Sequence, residues 1–323
     1  MSLTANMRSK MSRRVKGFLQ GGPETKMYTS LLLQGRMASW RVRDLHQIQS
    51  LQDVEFKVFS QWGEDGIIDW LIERACIPSS LHTFVEFGVE TYREANTRFL
   101  MENRNWRGLI MDGSQGSLDY LKSDPLFWQY NLATKASFIT RENINGLISE
   151  AGFSGNIGLL SIDLDGVDYW IWDAIEVIKP IICICEYNAI FGDMFPISVP
   201  YSSDFVASSK HYSCLYAGAS ISALRYLADK KGYTFLGTTQ AANDAFFVRN
   251  DYAHHFDKSP SNITALPSKS RGSRNEKGKL SFVGGIERYD SISHLSVIRV
   301  DTGESVMLAD LKPIYSEDWL SRM

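Results

Sequence analysis

The segment Thr83–Leu100 reads TFVEFGVETYREANTRFL, and it decides the fold class that this sequence predicts. A largely apolar strand, Thr83–Gly88, ends in an acid and a glycine, and the chain then turns into a helix predicted at Ala95–Glu102. At the carboxyl edge of a parallel sheet, such a strand-loop-helix is where nucleotide cofactors bind. Gly88 lets the backbone approach a ligand because it has no side chain, and Glu86 is placed to bind a cationic group of that ligand.

The loop after this strand favours a ligand with a cationic end over a dinucleotide. Loops that bind a pyrophosphate contain several glycines, whereas this loop has one glycine among charged residues. A second short strand, Gly108–Asp112, ends in another acid, and an acid in this position can accept both hydroxyls of a ribose. Since Glu86 and Asp112 are one crossover apart, the pair predicts a site for an adenosine ligand that carries an ammonium group.

The rest of the chain alternates short β-rich runs with helical patterns, which is typical of a parallel α/β sheet. The predicted strands are Thr83–Gly88, Gly108–Asp112, Thr134–Ile139, Ile157–Asp163, Ile181–Glu186, Tyr233–Leu236 and Ala245–Arg249. The predicted helices are Ser60–Ala75, Ala95–Glu102, Ser117–Lys122, Ile144–Ala151, Tyr169–Ile178 and Ala219–Lys231. A short polar connection joins the last two strands and indicates an antiparallel hairpin. We therefore expect five parallel strands followed by a reversed pair.

The composition is that of an ordinary globular protein. With 323 residues, of which 44% are hydrophobic, the chain can form a sizeable core. Its net charge of -3 gives no sign of general nucleic-acid binding. No run of about 18 apolar residues occurs, so no transmembrane helix is expected. The four cysteines form no disulfide framework, which fits a reducing cytoplasm.

We divide the chain into three regions. Residues 1–55 contain a basic tail, with five cations and no acid in the first 16 residues, followed by helices. We interpret this tail either as disordered or as a peripheral contact with an anionic lipid surface or polymer. Residues 56–250 form the ligand-binding domain, and residues 251–323 form a small C-terminal extension.

The C-terminal extension is expected to contain strands at Leu280–Val283 and Leu295–Val300 and a basic loop. The cations of that loop are Lys269, Arg271, Arg274, Lys277 and Lys279. They form either a solvated loop or a clamp for an anionic substrate, such as a phosphorylated or carboxylated sugar.

Carboxylates are dense where the fourth and fifth predicted strands end. Asp163, Asp165 and Asp168 follow one strand and Glu186 closes the next, a density of charge that is costly unless hydrogen bonds, a cation or solvent stabilises it. We interpret Asp168 as a cap of the following helix. Asp163, Asp165 and Glu186 either hold Mg²⁺ or another divalent cation or act on a substrate hydroxyl. His211 is a further candidate general base, because its ordinary pKa lies near neutrality.

Several segments, taken in order, resemble the FkbM-like class I methyltransferases, which use S-adenosylmethionine. The segments are Ser60–Gly66, the strand end with Glu86 and Gly88, Asn96-Thr97, Trp106–Gly108, Ile162–Gly166 and Asn243–Val248. The resemblance covers roughly residues 56–250. It implies a doubly wound, seven-stranded, Rossmann-like sheet and O-methylation, often of a sugar hydroxyl in a natural product or a surface polysaccharide.

The resemblance also implies roles for individual residues. Those assigned to the cofactor pocket or the active edge are Gln61, Glu64, Glu86, Gly88, Asp112 and Ser137. Those assigned to the surroundings of the reacting hydroxyl are Asp163, Asp165 and Glu186. The chain departs from the family pattern in the loop after the first strand, which has one glycine, and at Asp165, where many relatives have Glu.

Two other functions fit the same fold class. A nicotinamide-dependent oxidoreductase would use a related sheet, but the glycine-poor loop argues against it. A non-catalytic binding protein in a glycan-assembly complex is the second alternative, and it predicts that S-adenosylmethionine does not stabilise the protein.

Overall fold

Ten strands form two sheets in the computed structural model, which describes residues 23–323. In chain order the strands are β1 (Thr83–Phe87), β2 (Arg107–Asp112), β3 (Leu132–Ala136), β4 (Gly155–Ile162), β5 (Ile178–Glu186), β6 (Ile197–Ser198), β7 (Tyr233–Thr238), β8 (Asp244–Arg249), β9 (Ser296–Arg299) and β10 (Ser305–Met307). The large sheet has the order β3-β2-β1-β4-β5-β8-β7, and the small one has the order β10-β9-β6. The basic tail within residues 1–16 lies outside the described residues.

Helices cover both faces of the large sheet. They are α1 (Pro23–Arg43), α2 (Glu64–Arg74), α3 (Arg98–Arg104), α4 (Gln115–Lys122), α5 (Leu126–Gln129), α6 (Ile144–Glu150), α7 (Asp168–Ala174), α8 (Ala207–Lys210), α9 (Ile221–Lys231), α10 (Ile286–Ile292) and α11 (Glu317–Arg322). Side chains of α2, α3 and α4 pack in one core with Phe84, and side chains of α6, α7 and α9 pack in another core with Val85. Neighbouring residues of one strand point to opposite faces, so the sheet is buried on both sides. None of these helices is long and apolar enough to cross a membrane.

The predicted fold class is confirmed: the domain is a doubly wound α/β fold with a seven-stranded, mostly parallel sheet. The expected reversal of the last two strands is wrong in part. β8 is antiparallel to both β5 and β7, so β7 has the same direction as β1–β5 and β8 alone is reversed. The crossover through α9 carries the chain back to the start of β7 and accounts for that direction.

Two predicted boundaries moved for identifiable reasons. β3 ends at Ala136 rather than at Ile139 because Ala136 pairs with Asp112, the last residue of β2. α3 begins at Arg98 rather than at Ala95 because the Glu86 carboxylate accepts hydrogen bonds from the backbone amides of the residues just before the helix.

The C-terminal extension shares its core with the main sheet. Ile292, Val297 and Leu308 are buried in the same core as Val85, and β9 pairs with β6 from the middle of the chain. The strand predicted at Leu295–Val300 is present as β9. The strand predicted at Leu280–Val283 is absent, since this segment makes only an isolated bridge with the basic loop. Arg271 of the basic loop also donates a hydrogen bond to the carbonyl of Phe282 in this segment.

Candidate functional site

A cleft of about 580 Å³ lies at the carboxyl edge of the large sheet. Its walls come from the loops after β1, β2, β3 and β4, the end of β5 and the start of β8. The residues among them that the sequence predicted are Gln61, Glu86, Gly88, Asp112, Ser137, Asp163, Asp165 and Glu186. A volume of this size suits a ligand as large as a nucleoside. Residues predicted from distant segments therefore meet in one place.

Glu86 is the anchor of the segment that enters α3. Its Oε1 accepts a hydrogen bond from the Asn96 amide at 2.8 Å, and its Oε2 accepts bonds from the amide of Thr97, at 3.1 Å, and from the Thr97 hydroxyl. The side chain lines the cleft yet is almost fully buried. Desolvation raises the pKa of Glu86 to about 7, although these hydrogen bonds oppose the rise.

Gly88 is required by the packing of two loops. Its φ is +74°, and a Cβ added there would lie 1.6 Å from the carbonyl oxygen of Asp163. The loop after β1 therefore touches the end of β4, and only a residue without a side chain fits between them. The sequence predicts close approach of the backbone to a ligand at Gly88; the structure shows close approach to the backbone of Asp163, and Gly88 also lines the cleft.

Asp112 joins the loop after β1 to the loop after β2. Its Oδ2 accepts from the amide of Glu90 at 2.8 Å, and its Oδ1 accepts from the amide of Ser114 at 2.7 Å. A carboxylate oxygen can accept more than one hydrogen bond, so Asp112 keeps acceptor capacity toward the cleft that it lines. Ser137 lines the same cleft, and its amide donates to the Asp112 carbonyl.

Two other charged residues of the loop after β1, Arg93 and Glu94, have structural partners. The guanidinium of Arg93 donates to the Tyr120 hydroxyl and lies 5.0 Å from the centre of that ring. Glu94 forms an exposed ion pair of 3.5 Å with Lys57. The loop is thus held by side chains where a pyrophosphate-binding loop would use glycines.

Asp163, Asp165 and Glu186 form an acidic group at the ends of β4 and β5. Carboxylate oxygens of the three lie within 4.8 Å of one another. Asp163 and Asp165 are exposed to the cleft and Glu186 is half-buried. Within the described part of the chain, none of the three side chains has a hydrogen bond or an ion pair. The spacing fits a divalent cation with oxygen ligands.

The surroundings of this acidic group disfavour full ionisation. Desolvation by the cleft walls, followed by the charge of Asp244, raises the pKa of Asp163 well above its ordinary value. Desolvation, followed by the charge of Asp163, does the same to the pKa of Glu186. For Asp163 and Glu186 the surroundings therefore favour the neutral carboxyl, and a cation or a substrate donor beside them would oppose that effect.

Asp168 holds the loop that carries Asp165. It is buried, and it accepts from the amides of Leu164 at 2.7 Å and Gly166 at 3.1 Å. The prediction that Asp168 caps the following helix is wrong: Asp168 is the first residue of α7, and its carboxylate binds amides of the preceding loop instead. Asp165 has a φ of +51° in that loop, a conformation that non-glycine side chains adopt rarely.

Two predicted site residues do not line the cleft. Glu64 lies beneath it, fully buried, and accepts from the amides of Trp62 at 2.9 Å and Gly63 at 2.8 Å. His211 is not among the residues that line the cleft; its Nδ1 lies 2.7 Å from the Ser213 hydroxyl and its ring centre lies 5.6 Å from that of His294. Burial and then the His294 charge lower the pKa of His211. The geometry does not support His211 as the base.

Sequence reasoning missed Asn96 and Asp244 as lining residues. Both were inside segments that carried the family resemblance, which was the signal available. The Asn96 side chain donates to the Ser161 hydroxyl and to Asp244, both at 3.2 Å. Asn188, two residues after Glu186, does not join the acidic group: its Nδ2 donates to the carbonyls of Leu215 and Ala217, and its Oδ1 accepts from the Ile190 amide.

The order and directions of the seven strands give the chain a Rossmann-like fold. A solved S-adenosylmethionine-dependent methyltransferase from Clostridium acetobutylicum is similar, with a TM-score of 0.37 and 10% identity over 58% of this chain and 90% of that chain. A putative caffeoyl-CoA O-methyltransferase from Staphylococcus aureus has a TM-score of 0.37 and 12% identity over 58% of this chain and 82% of that chain.

The TrmK protein of M. capricolum, solved with S-adenosyl-homocysteine, has a TM-score of 0.31 and 12% identity. That likeness covers 55% of this chain and 65% of the TrmK chain. Neither a known family nor a curated protein matches this sequence. The likenesses to solved structures concern the fold alone, and membership of the FkbM-like family stays a proposal.

Proposed function

We propose that this protein transfers a methyl group from S-adenosylmethionine to a hydroxyl of a sugar, a polysaccharide or a glycosylated natural product. The observation that carries the proposal is the division of the cleft into two acidic parts. Glu86 and Asp112, held by backbone amides, lie at the ends of β1 and β2. The acidic group of Asp163, Asp165 and Glu186 lies at the ends of β4 and β5, and its side chains have no hydrogen bond or ion pair with the described residues. One part is suited to hold a cofactor and the other to act on an acceptor.

The residues of the first part fit S-adenosylmethionine. Asp112 keeps acceptor capacity for ribose hydroxyls after its two amide bonds. Glu86 is an acid in the position for the ammonium of the methionine part, and the cleft is large enough for an adenosine. When bound, the cofactor supplies an electrophilic methyl group on a sulfonium.

The acidic group supplies the second requirement, which is removal of a proton from the acceptor. In an in-line displacement the acceptor oxygen bonds the methyl carbon, the carbon–sulfur bond breaks, and the electron pair remains on sulfur. The acceptor proton goes to a carboxylate, for which Asp163 is our choice. A base is most effective when its pKa is near the working pH, and the raised pKa of Asp163 moves it in that direction.

Binding of a divalent cation is a second role that we propose for the same acidic group. Mg²⁺ prefers oxygen ligands, and a cation between Asp163, Asp165 and Glu186 would offset the negative charge of these carboxylates and orient an acceptor hydroxyl. We also propose a cytoplasmic location, which the four free cysteines support.

Calorimetry with S-adenosylhomocysteine and with NAD tests the cofactor proposal. We expect the first to bind and NAD not to bind. Asp112→Asn should weaken S-adenosylhomocysteine at least about tenfold, the effect of losing a hydrogen bond to a charged group. The matched control is Asp229→Asn, an exposed acid at the end of α9, which should leave binding unchanged. Tighter binding of NAD would favour the oxidoreductase, and binding of neither would favour the non-catalytic protein.

A further inference from the structure

A second cleft, of about 220 Å³, adjoins the first on the side of the C-terminal extension. The two clefts share Gln61, Asp165, Glu186 and Asn243. A molecule in the second cleft would therefore extend toward the acidic group from the side opposite the cofactor part. Trp62, which is 49% exposed, contributes a flat apolar surface to this cleft, and such surfaces pack well against sugar rings.

Arg288 is the one cationic side chain among the residues that line the second cleft. It lies on α10, and its Nε is buried without a hydrogen-bond partner. No carboxylate within the described residues lies at salt-bridge distance from it. Arg288 is half-buried, and a cation that is partly desolvated without a partner is costly. Most other arginines of the described region have a carboxylate or carbonyl partner, as Arg104 does with Asp69.

The basic loop that the sequence singled out does not supply this charge. Arg271 donates to the carbonyl of Phe282 at 2.7 Å, and Arg274 donates to that of Gly278 at 3.1 Å. Ser268 and Ser270 are the residues by which this loop reaches the second cleft. The loop is held near the sheet by the Tyr187 hydroxyl, which donates to the carbonyl of Leu266 at 2.5 Å.

We propose that the second cleft binds the acceptor and that Arg288 recognises an oxyanion on it, a carboxylate or a phosphate of an anionic sugar. This inference rests on the proposed function for the identity of the reaction, but the anion site itself does not depend on methyl transfer. A guanidinium matches the geometry of both oxyanions through two parallel hydrogen bonds. The charges also orient the ligand, because Asp165 and Glu186 repel its anionic end and Arg288 attracts it. The neutral hydroxyl end is then the one that meets the acidic group.

Calorimetry with three probes at equal ionic strength tests this site: glucuronate, glucose 6-phosphate and glucose. We expect both anionic sugars to bind the wild type more tightly than glucose does. Arg288→Met should weaken the anionic sugars at least about tenfold and leave glucose unchanged, while Arg288→Lys should retain part of the preference. Tighter binding of glucuronate than of glucose 6-phosphate assigns the oxyanion to a carboxylate, and the reverse order assigns it to a phosphate.

Two further measurements separate this proposal from a structural role and from the proposed function. Arg288→Met should raise the melting temperature, since it removes an unpaired cation, whereas a structural arginine would lower it. S-adenosylhomocysteine should bind Arg288→Met as it binds the wild type. If anionic sugars have no advantage over glucose, or if Arg288→Met keeps that advantage, the anion site is wrong. If the wild type binds the anionic sugars but does not bind S-adenosylhomocysteine, the proposed function is wrong and the anion site is still supported.

Discussion

The two acidic parts of the large cleft differ in how their charges are satisfied. Glu86 and Asp112, after β1 and β2, each accept hydrogen bonds from backbone amides of a neighbouring loop. Asp163, Asp165 and Glu186, after β4 and β5, lie within 4.8 Å of one another and have no such bonds in the part of the chain that the structure describes. The same residue type at the same edge of the sheet is therefore used in two ways.

This difference separates the acids that stabilise the loops of the site from the acids that are available to bind a ligand. A carboxylate that accepts backbone amides holds loops in place and gains stability from doing so. Acids that crowd together without donors destabilise a folded protein, and such groups concentrate at functional sites. We infer that the first part is largely preformed, whereas the second is completed by a cation, an acceptor or a proton.

Gly88→Ala has the largest expected effect, because Gly88 is where the two parts touch. The added Cβ would lie 1.6 Å from the Asp163 carbonyl oxygen at a φ of +74°. Either the loop after β1 or the end of β4 must move, and we expect a loss of about 4 kcal/mol or more in the free energy of unfolding. Urea denaturation measures it. The matched control is Gly113→Ala, since a Cβ at Gly113 meets no atom within 4 Å; equal stability of the two variants would contradict the contact.

Asp163→Asn should abolish activity without loss of stability. We expect methyl transfer from labelled S-adenosylmethionine to a cell-envelope glycan extract to fall at least about 100-fold. The melting temperature should stay the same or rise, because the substitution removes a crowded charge that has no hydrogen bond. Full activity in this variant would contradict the role of Asp163.

Asp168→Asn is the matched control, since this acid is buried and bonded to the amides of Leu164 and Gly166. It should lower the free energy of unfolding by about 1–3 kcal/mol. Mg²⁺ then separates the two roles of the free group. If a cation binds there, Mg²⁺ raises the melting temperature of the wild type and not of Asp163→Asn. If Asp163 acts as a base alone, Mg²⁺ raises neither.

The sheet and most lining residues could be predicted from sequence because they depend on local pattern. Apolar runs give strands, and an acid at the end of a parallel strand lies at the shared carboxyl edge. The predicted acids of the cleft, Glu86, Asp112, Asp163, Asp165 and Glu186, line it for this reason, whereas Gln61 and Ser137 were assigned to it through the family resemblance. The direction of β7 and the start of α3 depended on contacts between distant segments, such as the bonds from Asn96 and Thr97 to Glu86, which no local pattern shows.

His211 and Arg288 also show that a sequence pattern does not place a side chain relative to a cleft: the first was predicted in the site and lies outside it, and the second was not predicted and lines a cleft. His211 has a suitable ordinary pKa but lies outside the cleft, and its Nδ1 is paired with Ser213. Arg288 stands in a segment with no motif, yet it lines the second cleft without a partner for its Nε. The five basic residues predicted to meet an anion are close in sequence, whereas the cation that lines the second cleft comes from a helix further along the chain.

Glu86→Gln should have the smallest effect, and it shows itself in the pH dependence of stability. Burial raises the pKa of Glu86 from 4.5 to about 7, so the folded protein binds this proton more tightly than the unfolded chain does. The contribution to stability is complete below pH 4.5 and is lost as the pH rises to about 7. Glu86→Gln has no proton to lose. Over this range the free energy of unfolding of Glu86→Gln should fall less steeply with pH than that of the wild type, and the two slopes should differ by up to about 1.4 kcal/mol per pH unit.

Asp251→Asn is the control for that slope. The hydrogen bond from Arg249 lowers the pKa of Asp251 below 3.8, so its contribution is present above pH 3.8 and is lost only as the pH falls. Its removal should lower stability equally at every pH from 4.5 to 7 and leave the slope unchanged. If Glu86→Gln gives the wild-type slope, Glu86 is already ionised in the folded protein. The hydrogen bonds from Asn96 and Thr97 would then outweigh its burial, and Glu86 would be charged at neutral pH.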